Sequence, residues 1–266
     1  MTALEDLFAR TRAEGRAALV GYLPAGFPSV DGAIEAILAM VEAGVDTVEI
    51  GIPYSDPLMD GPTVQAAAEH ALAAGTRMAD VFRTVAAVAS TGAPALVMTY
   101  WNPIERYGVD AFARDFAAAG GSGVITPDLI PDEAAGWLDA VGAAKVDPIF
   151  LVAPSSTAER IARVASVSRG FIYAASTMGV TGAREQTSAL APALVGRVRE
   201  ATETPVCVGL GVSTGAHAAE VAGYADGVIV GSALVRRLLD ASSPAEGIDS
   251  LTALVRELAD GVRTRS

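Results

Sequence analysis

The sequence predicts a (β/α)8 barrel of the TIM type, a single domain over residues 1–266 opened by one additional N-terminal helix. Three observations predict it. Short, nearly continuous apolar runs recur along the chain, segments of helical periodicity separate them, and no shift in composition marks a domain boundary. Strands that are apolar on both faces belong to parallel sheets covered by helices. Eight such units in a chain of this length fit closure into a barrel. An open doubly wound sheet is the structural alternative. The run GLGVS at 209–213 would support it, but it lacks the full G-x-G-x-x-G and falls in the seventh unit rather than the first.

The opening stretch MTALEDLFARTRAEG is amphipathic and acidic, with Thr2 and Glu5 at capping-box spacing, and is expected to form a surface helix rather than a signal peptide. The first strand is AALVGYLPAG (17–26), followed by the helical DGAIEAILAMVEAG, and the second is VDTVEIGIP (45–53). The third, PALVMTYWNP (94–103), precedes the helical DAFARDFAAAGG, and the fourth, SGVITPD (122–128), precedes DEAAGWLDAVGA. VDPIFLVAP (146–154) leads into TAERIARVASVS, after which come GFIYAAS (170–176), PVCVGLG (205–211) with TGAHAAEVAGY, and DGVIVGS (226–232). The segment GSALVRRLL then opens a helix, and ASSPAEG (241–247) is expected to be a loop before the last one.

Apolar residues make up 51% of the chain, enough for a substantial core. Lys plus Arg is 19 against 31 Asp plus Glu, a formal charge of −12 and a pI near 4.6, which argues against nucleic acid or an anionic membrane as partner. No apolar run is long enough to span a bilayer. Cys207, the lone cysteine, is expected to be a buried structural thiol, and a cytoplasmic protein without disulfides follows.

Glu49 stands inside the second apolar strand, and glutamate is rarely buried without a partner or a task. Side chains alternate along a strand, so Val48 and Ile50 face the helices while Thr47, Glu49 and Gly51 face the barrel interior. Asp60 lies on the proline-stiffened loop leaving the same strand, with Gly51 and Gly61 permitting close approach of the backbone. Two carboxylates at one mouth can divide acid and base work when their environments differ. A structural carboxylate satisfied by a partner is the other reading of Glu49.

Strands six to eight end in STMGVTGAR (176–184), GLGVSTG (209–215) and VGSALV (230–235). Glycines there let backbone N–H groups converge, and the helix opened by GSALVRRLL favours an anion at its N-terminus. This matches the phosphate site common in such barrels, with ordinary tight turns as the alternative. Carboxylates beside a phosphate suggest carbon–carbon cleavage. A Schiff-base route needs a lysine at the mouth, whereas the only lysine, Lys145, precedes strand five at the opposite face. A metal route needs clustered ligands, whereas His70 and His217 both fall in helical segments, and no metal is expected. The remaining route is a substrate that is its own electron sink, as an indole protonated at C3 would be.

VEIGIPYSDPLMDGPTVQ, YAASTMGVTGA, GLGVST and VGSALV closely resemble the signature segments of the tryptophan synthase alpha chain family, and the resemblance runs from LVGYLPAGFP to the final helix. It implies a barrel lyase that cleaves indole-3-glycerol phosphate to indole and D-glyceraldehyde 3-phosphate. It also implies a beta subunit as partner in an α2β2 heterotetramer, with pyridoxal phosphate in that subunit and no cofactor in this chain. By the same resemblance Glu49 is the acid–base group and Asp60 the partner of the indole N–H. Tyr173 is the active-site tyrosine on strand six, Tyr22, Tyr100, Ile125 and Leu210 line the indole pocket, and Thr181 closes onto the aspartate. Gly182, Gly211, Gly231 and Ser232 hold the phosphate, while the stem from Pro53 to Asp56 touches the beta subunit. The chain departs from the family pattern at Thr177, usually arginine, at Tyr22 and Leu210, usually phenylalanine, and at Met59, usually smaller.

Overall fold

The computed structural model describes residues 1–175, 190–209 and 211–264. Among these, nine strands form one wholly parallel sheet: β1 (Ala18–Pro24), β2 (Thr47–Gly51), β3 (Ala95–Met98), β4 (Gly121–Ile125), β5 (Asp147–Ile149), β6 (Leu151–Val152), β7 (Ile172–Ala175), β8 (Val206–Gly209) and β9 (Gly227–Val230). Their order is β5-β4-β3-β2-β1-β9-β8-β7-β6. The two ends of that order are neighbours in sequence, separated only by Phe150. β5 pairs with β4 and β6 with β7, and Tyr173 N donates to Phe150 O at 3.1 Å. The expected fifth strand is therefore one stave with two hydrogen-bonding halves, and through it the barrel closes.

Strand alternation sorts the apolar residues into two layers. Val48, Ile50, Val97, Val124, Phe150 and Val208 face outward and pack against the helices. Val20, Leu96, Ile125, Ile149, Cys207 and Ile229 fill the interior, with Cys207 buried among them as expected of a structural thiol. The second layer also contains Leu4, Leu7 and Phe8 of α1 (Ala3–Ala13). This corrects the expectation of a surface helix: the apolar stripe of α1 plugs the floor of the barrel, with Phe8 edge-on to Phe171 at 5.9 Å between ring centroids. The expected capping box is present, and Thr2 Oγ1 also donates to Asp147 Oδ2 at 2.7 Å, tying the helix start to the foot of β5.

Two further expectations are corrected. The run 94–103 does not stay extended, because α5 (Trp101–Tyr107) begins inside it. The Trp101 N–H donates to both carboxylate oxygens of Asp128, 2.9 and 3.1 Å away, so a residue distant in sequence caps this helix. The expected loop at 241–247 already contains the start of α12 (Pro244–Arg263), where Ser243 Oγ accepts from Glu246 N and Pro244 occupies the first turn. His70 and His217 lie on α3 (Pro62–Ala73) and α10 (Gly215–Ala222), as expected. Lys145 caps α7 (Ala135–Ala144) in a left-handed conformation, beside Thr2 and Asp147 at the floor. No helix of the described residues is long and apolar enough to cross a membrane.

Truncating the plug should cost stability. Phe8→Ala removes a buried aromatic ring and is expected to lower the unfolding free energy by about 3 kcal/mol. Denaturant melts check this through a lower midpoint at unchanged slope; an unchanged midpoint would show that α1 does not seal the floor.

Candidate active site

The described residues expected at the site lie toward the C-terminal ends of the strands or on the loops leaving them, except Glu49 in the middle of β2 and Tyr173, second in β7. Reading around the barrel, β8, β9, β1, β2 and β3 are consecutive neighbours. They bring Gly211, then Gly231 and Ser232, then Tyr22, Glu49 and Tyr100 to one continuous arc of the mouth. Ile125 ends β4 in register with Met98, and both sit in the inner apolar layer with Tyr173 of β7. Thr181, Gly182, Leu210 and the departure Thr177 lie outside the described residues.

Glu49 points inward as the alternation requires, in register with Tyr22 on one side and Leu96 on the other. It is only 1% exposed, and its Oε2 has no hydrogen-bond partner among the described residues. A carboxylate so placed loses its hydration without compensation. Burial, reinforced by the charge of Asp60, pushes the Glu49 carboxyl up to about 8.

Asp60 has a different environment. It is half-buried on the loop between β2 and α3, and burial raises its carboxyl while a hydrogen bond from the Tyr100 hydroxyl works in the opposite direction. Tyr100 does more than line a pocket: its Oη also accepts from Leu58 N at 3.1 Å and Met59 N at 2.9 Å. One hydroxyl thereby fastens three successive residues of the loop, including the half-buried Met59. On the other flank, Gln65 Nε2 donates to Asp60 O at 2.7 Å. Gln65 stands in the signature segment, but no propensity or periodicity singles it out.

The tyrosines fit because glycines make room. A Cβ on Gly51 would overlap the Tyr22 hydroxyl, and one on Gly209 would come within 2.6 Å of the Tyr173 hydroxyl. Both phenols are desolvated and face the charges of Glu49 and Asp60, which pushes them well above the usual tyrosine range. Neutral hydroxyls and two carboxyls of unlike strength thus share the mouth. Farther along the same arc, Gly231 precedes α11 (Ser232–Leu239), whose first residue Ser232 is buried, and Gly211 has a φ of +68° that suits glycine. A helix N-terminus and adjoining backbone there suit an anion.

Outside the mouth, Pro53, Tyr54 and Asp56 line a groove of about 450 Å³ together with Met78 and Asn102. Asn102 Nδ2 donates to Tyr54 Oη at 2.9 Å, and the Tyr54 and Tyr100 rings lie 5.3 Å apart, so groove and loop anchor are contiguous. Leu58, on the same loop, is 75% exposed.

Fold and site define a (β/α)8-barrel enzyme with two carboxyls of unlike environment at its mouth. Comparison with known proteins places it further. The family model for the tryptophan synthase alpha chain matches residues 8–263, and the chain belongs to that family, which is that of an enzyme subunit, a lyase of tryptophan biosynthesis. It is 63% identical over 257 residues to the tryptophan synthase alpha chain of Salinispora arenicola, covering 97% of this chain and 96% of the relative. It is 59% identical over 261 residues to that of Nocardia farcinica, covering 98% and 96%. Its fold superimposes on a solved structure of Mycobacterium tuberculosis tryptophan synthase with a TM-score of 0.92 at 58% identity, covering 98% of each chain.

The raised Glu49 carboxyl has a stability signature. The unfolded chain releases this proton near the ordinary glutamate value of 4.5, the folded chain near 8, so between these pH values the folded state holds more protons. The contribution is fully present below the lower value and is lost as pH rises through the upper one. Glu49→Gln, which cannot ionise, should therefore gain stability relative to wild type as pH rises from 5 to 8, by up to about 1.4 kcal/mol per pH unit. Melting both proteins across that range checks it, and parallel curves would contradict the assignment.

Proposed function

We propose that this chain, working as one barrel domain, cleaves indole-3-glycerol phosphate to indole and D-glyceraldehyde 3-phosphate, and passes the indole to a beta subunit in an α2β2 assembly. The observation that carries the reading is the buried Glu49 carboxyl, its Oε2 without a hydrogen-bond partner among the described residues, beside a second carboxyl, Asp60, that a Tyr100 hydrogen bond helps to keep ionised. The phosphate rests against Gly211, Gly231 and Ser232, with Gly182 expected to join them, and the indole lies among Tyr22, Tyr100, Ile125 and Tyr173.

The step needs a proton given to the indole C3 and a proton taken from the glycerol hydroxyl on the carbon bonded to it. Glu49 supplies the first from its neutral form, which desolvation favours near neutral pH, and the carboxylate left behind takes the second. The carbon–carbon bond then breaks, its electron pair restores the aromatic ring, the former alcohol carbon becomes the aldehyde, and Glu49 ends as it began. Asp60, held ionised more readily by Tyr100, accepts from the indole N–H and offsets the positive charge the ring carries between the two transfers. Pyridoxal phosphate belongs to the chemistry of the beta subunit and enters none of these transfers.

The partner reading rests on the loop. Pro53 and Asp56 line the outer groove while Tyr100 fastens the far end at Asp60, so a subunit docked in the groove bears on the catalytic carboxylate.

Glu49→Gln should lose at least ~10²-fold in turnover in the presence of a beta subunit. Asp60→Asn should also lose turnover with a much smaller change in KM, because its charge matters most once the ring is positive. Steady-state assays of indole release measure both. A folded Glu49→Gln protein with near-normal turnover would end the mechanism.

A further inference from the structure

Tyr22 spans the mouth in one particular direction. A Cβ on Gly231 would meet Tyr22 Cδ1 at 3.4 Å and Cβ at 3.5 Å, so the near end of this side chain lies against the anion cradle. The far end lies over Gly51 on β2, where an added Cβ would be 2.7 Å from Tyr22 Cζ and would overlap the hydroxyl. That hydroxyl faces the charges of Asp60 and Glu49, yet no hydrogen bond to it is formed by the described residues. An apolar ring would complete the wall equally well. A hydroxyl held here without a partner among the described residues is suited to a partner in the ligand.

The ligand follows from the geometry once the function proposed above is granted. A phosphate at Gly231 and an indole at Asp60 are joined by a three-carbon link, and that link must lie along the Tyr22 ring. It carries two hydroxyls. Glu49 takes the proton of the one next to the indole, which leaves the other, next to the phosphate-bearing carbon, without an assigned partner.

We infer that Tyr22 is a specificity-determining residue whose hydroxyl hydrogen-bonds this second glycerol hydroxyl and selects substrates that carry it. The test compares wild type and Tyr22→Phe, each with the beta subunit, on indole-3-glycerol phosphate and on its deoxy analogue lacking only that hydroxyl. Wild type should lose about 3- to 10-fold in kcat/KM on the analogue, the range for one neutral hydrogen bond. Tyr22→Phe should lose a similar factor on the full substrate and discriminate little between the two. Because each enzyme is compared with itself, a partly unfolded variant does not disturb the ratio. Equal discrimination by both enzymes would overturn the inference while leaving the proposed function intact. A wild-type chain that cleaves neither compound would overturn both.

Discussion

The carboxyl of Glu49 is kept out of water, and the rest of the site depends on that exclusion. An open sheet or an unsealed barrel would let water reach β2 from below and return the group to an ordinary acid. Closure through the stave at Phe150, the inner layer of Val20, Leu96, Ile125, Cys207 and Ile229, and the α1 plug of Leu4, Leu7 and Phe8 together remove that route. Desolvation then favours the neutral form, and the nearby charge of Asp60 adds to it. One group can thereby both give and take a proton at a pH where free glutamate only takes one.

Asp60 acts differently because it comes from a loop. Its carboxylate retains a donor in Tyr100, and that tyrosine is itself held by two backbone N–H groups from the loop it anchors. The unlike behaviour of the two carboxyls thus has unlike origins: Glu49 Oε2 has no partner among the described residues, whereas Asp60 has one in Tyr100. The same arrangement ties the loop end that carries Asp60 to the end that lines the outer groove. Any coupling to a second subunit needs such a contiguous element with two arrangements, biased from outside.

Much of this was legible in the order of residues. Strand alternation alone turned Glu49 inward and Val48 and Ile50 outward, and the glycines at the strand ends marked where backbone or rings come close. What could not be seen depends on contacts distant in sequence. Nothing local reveals that the apolar stripe of α1 enters the barrel, since an amphipathic helix looks the same on a surface and in a floor. Trp101 reads as strand because its run is β-rich, and the cap that makes it helical comes from Asp128. Tyr100 passes for a pocket wall until its hydroxyl is seen beneath Leu58 and Met59. At 241–247 the signal was present, Ser243 followed by Pro244 and Glu246, and the loop-like composition outweighed it.

The chemistry of the mouth turns on the protonation state of one side chain, Glu49. Carbon-13 NMR of the chain labelled at the glutamate carboxyl carbons, assigned by comparison with Glu49→Gln, follows that state directly as pH is varied. The structure predicts a Glu49 signal that titrates near 8 and moves to lower pH in Asp60→Asn, where one of its two causes is gone. A signal that titrates near 4.5, and does not respond to Asp60, would contradict it.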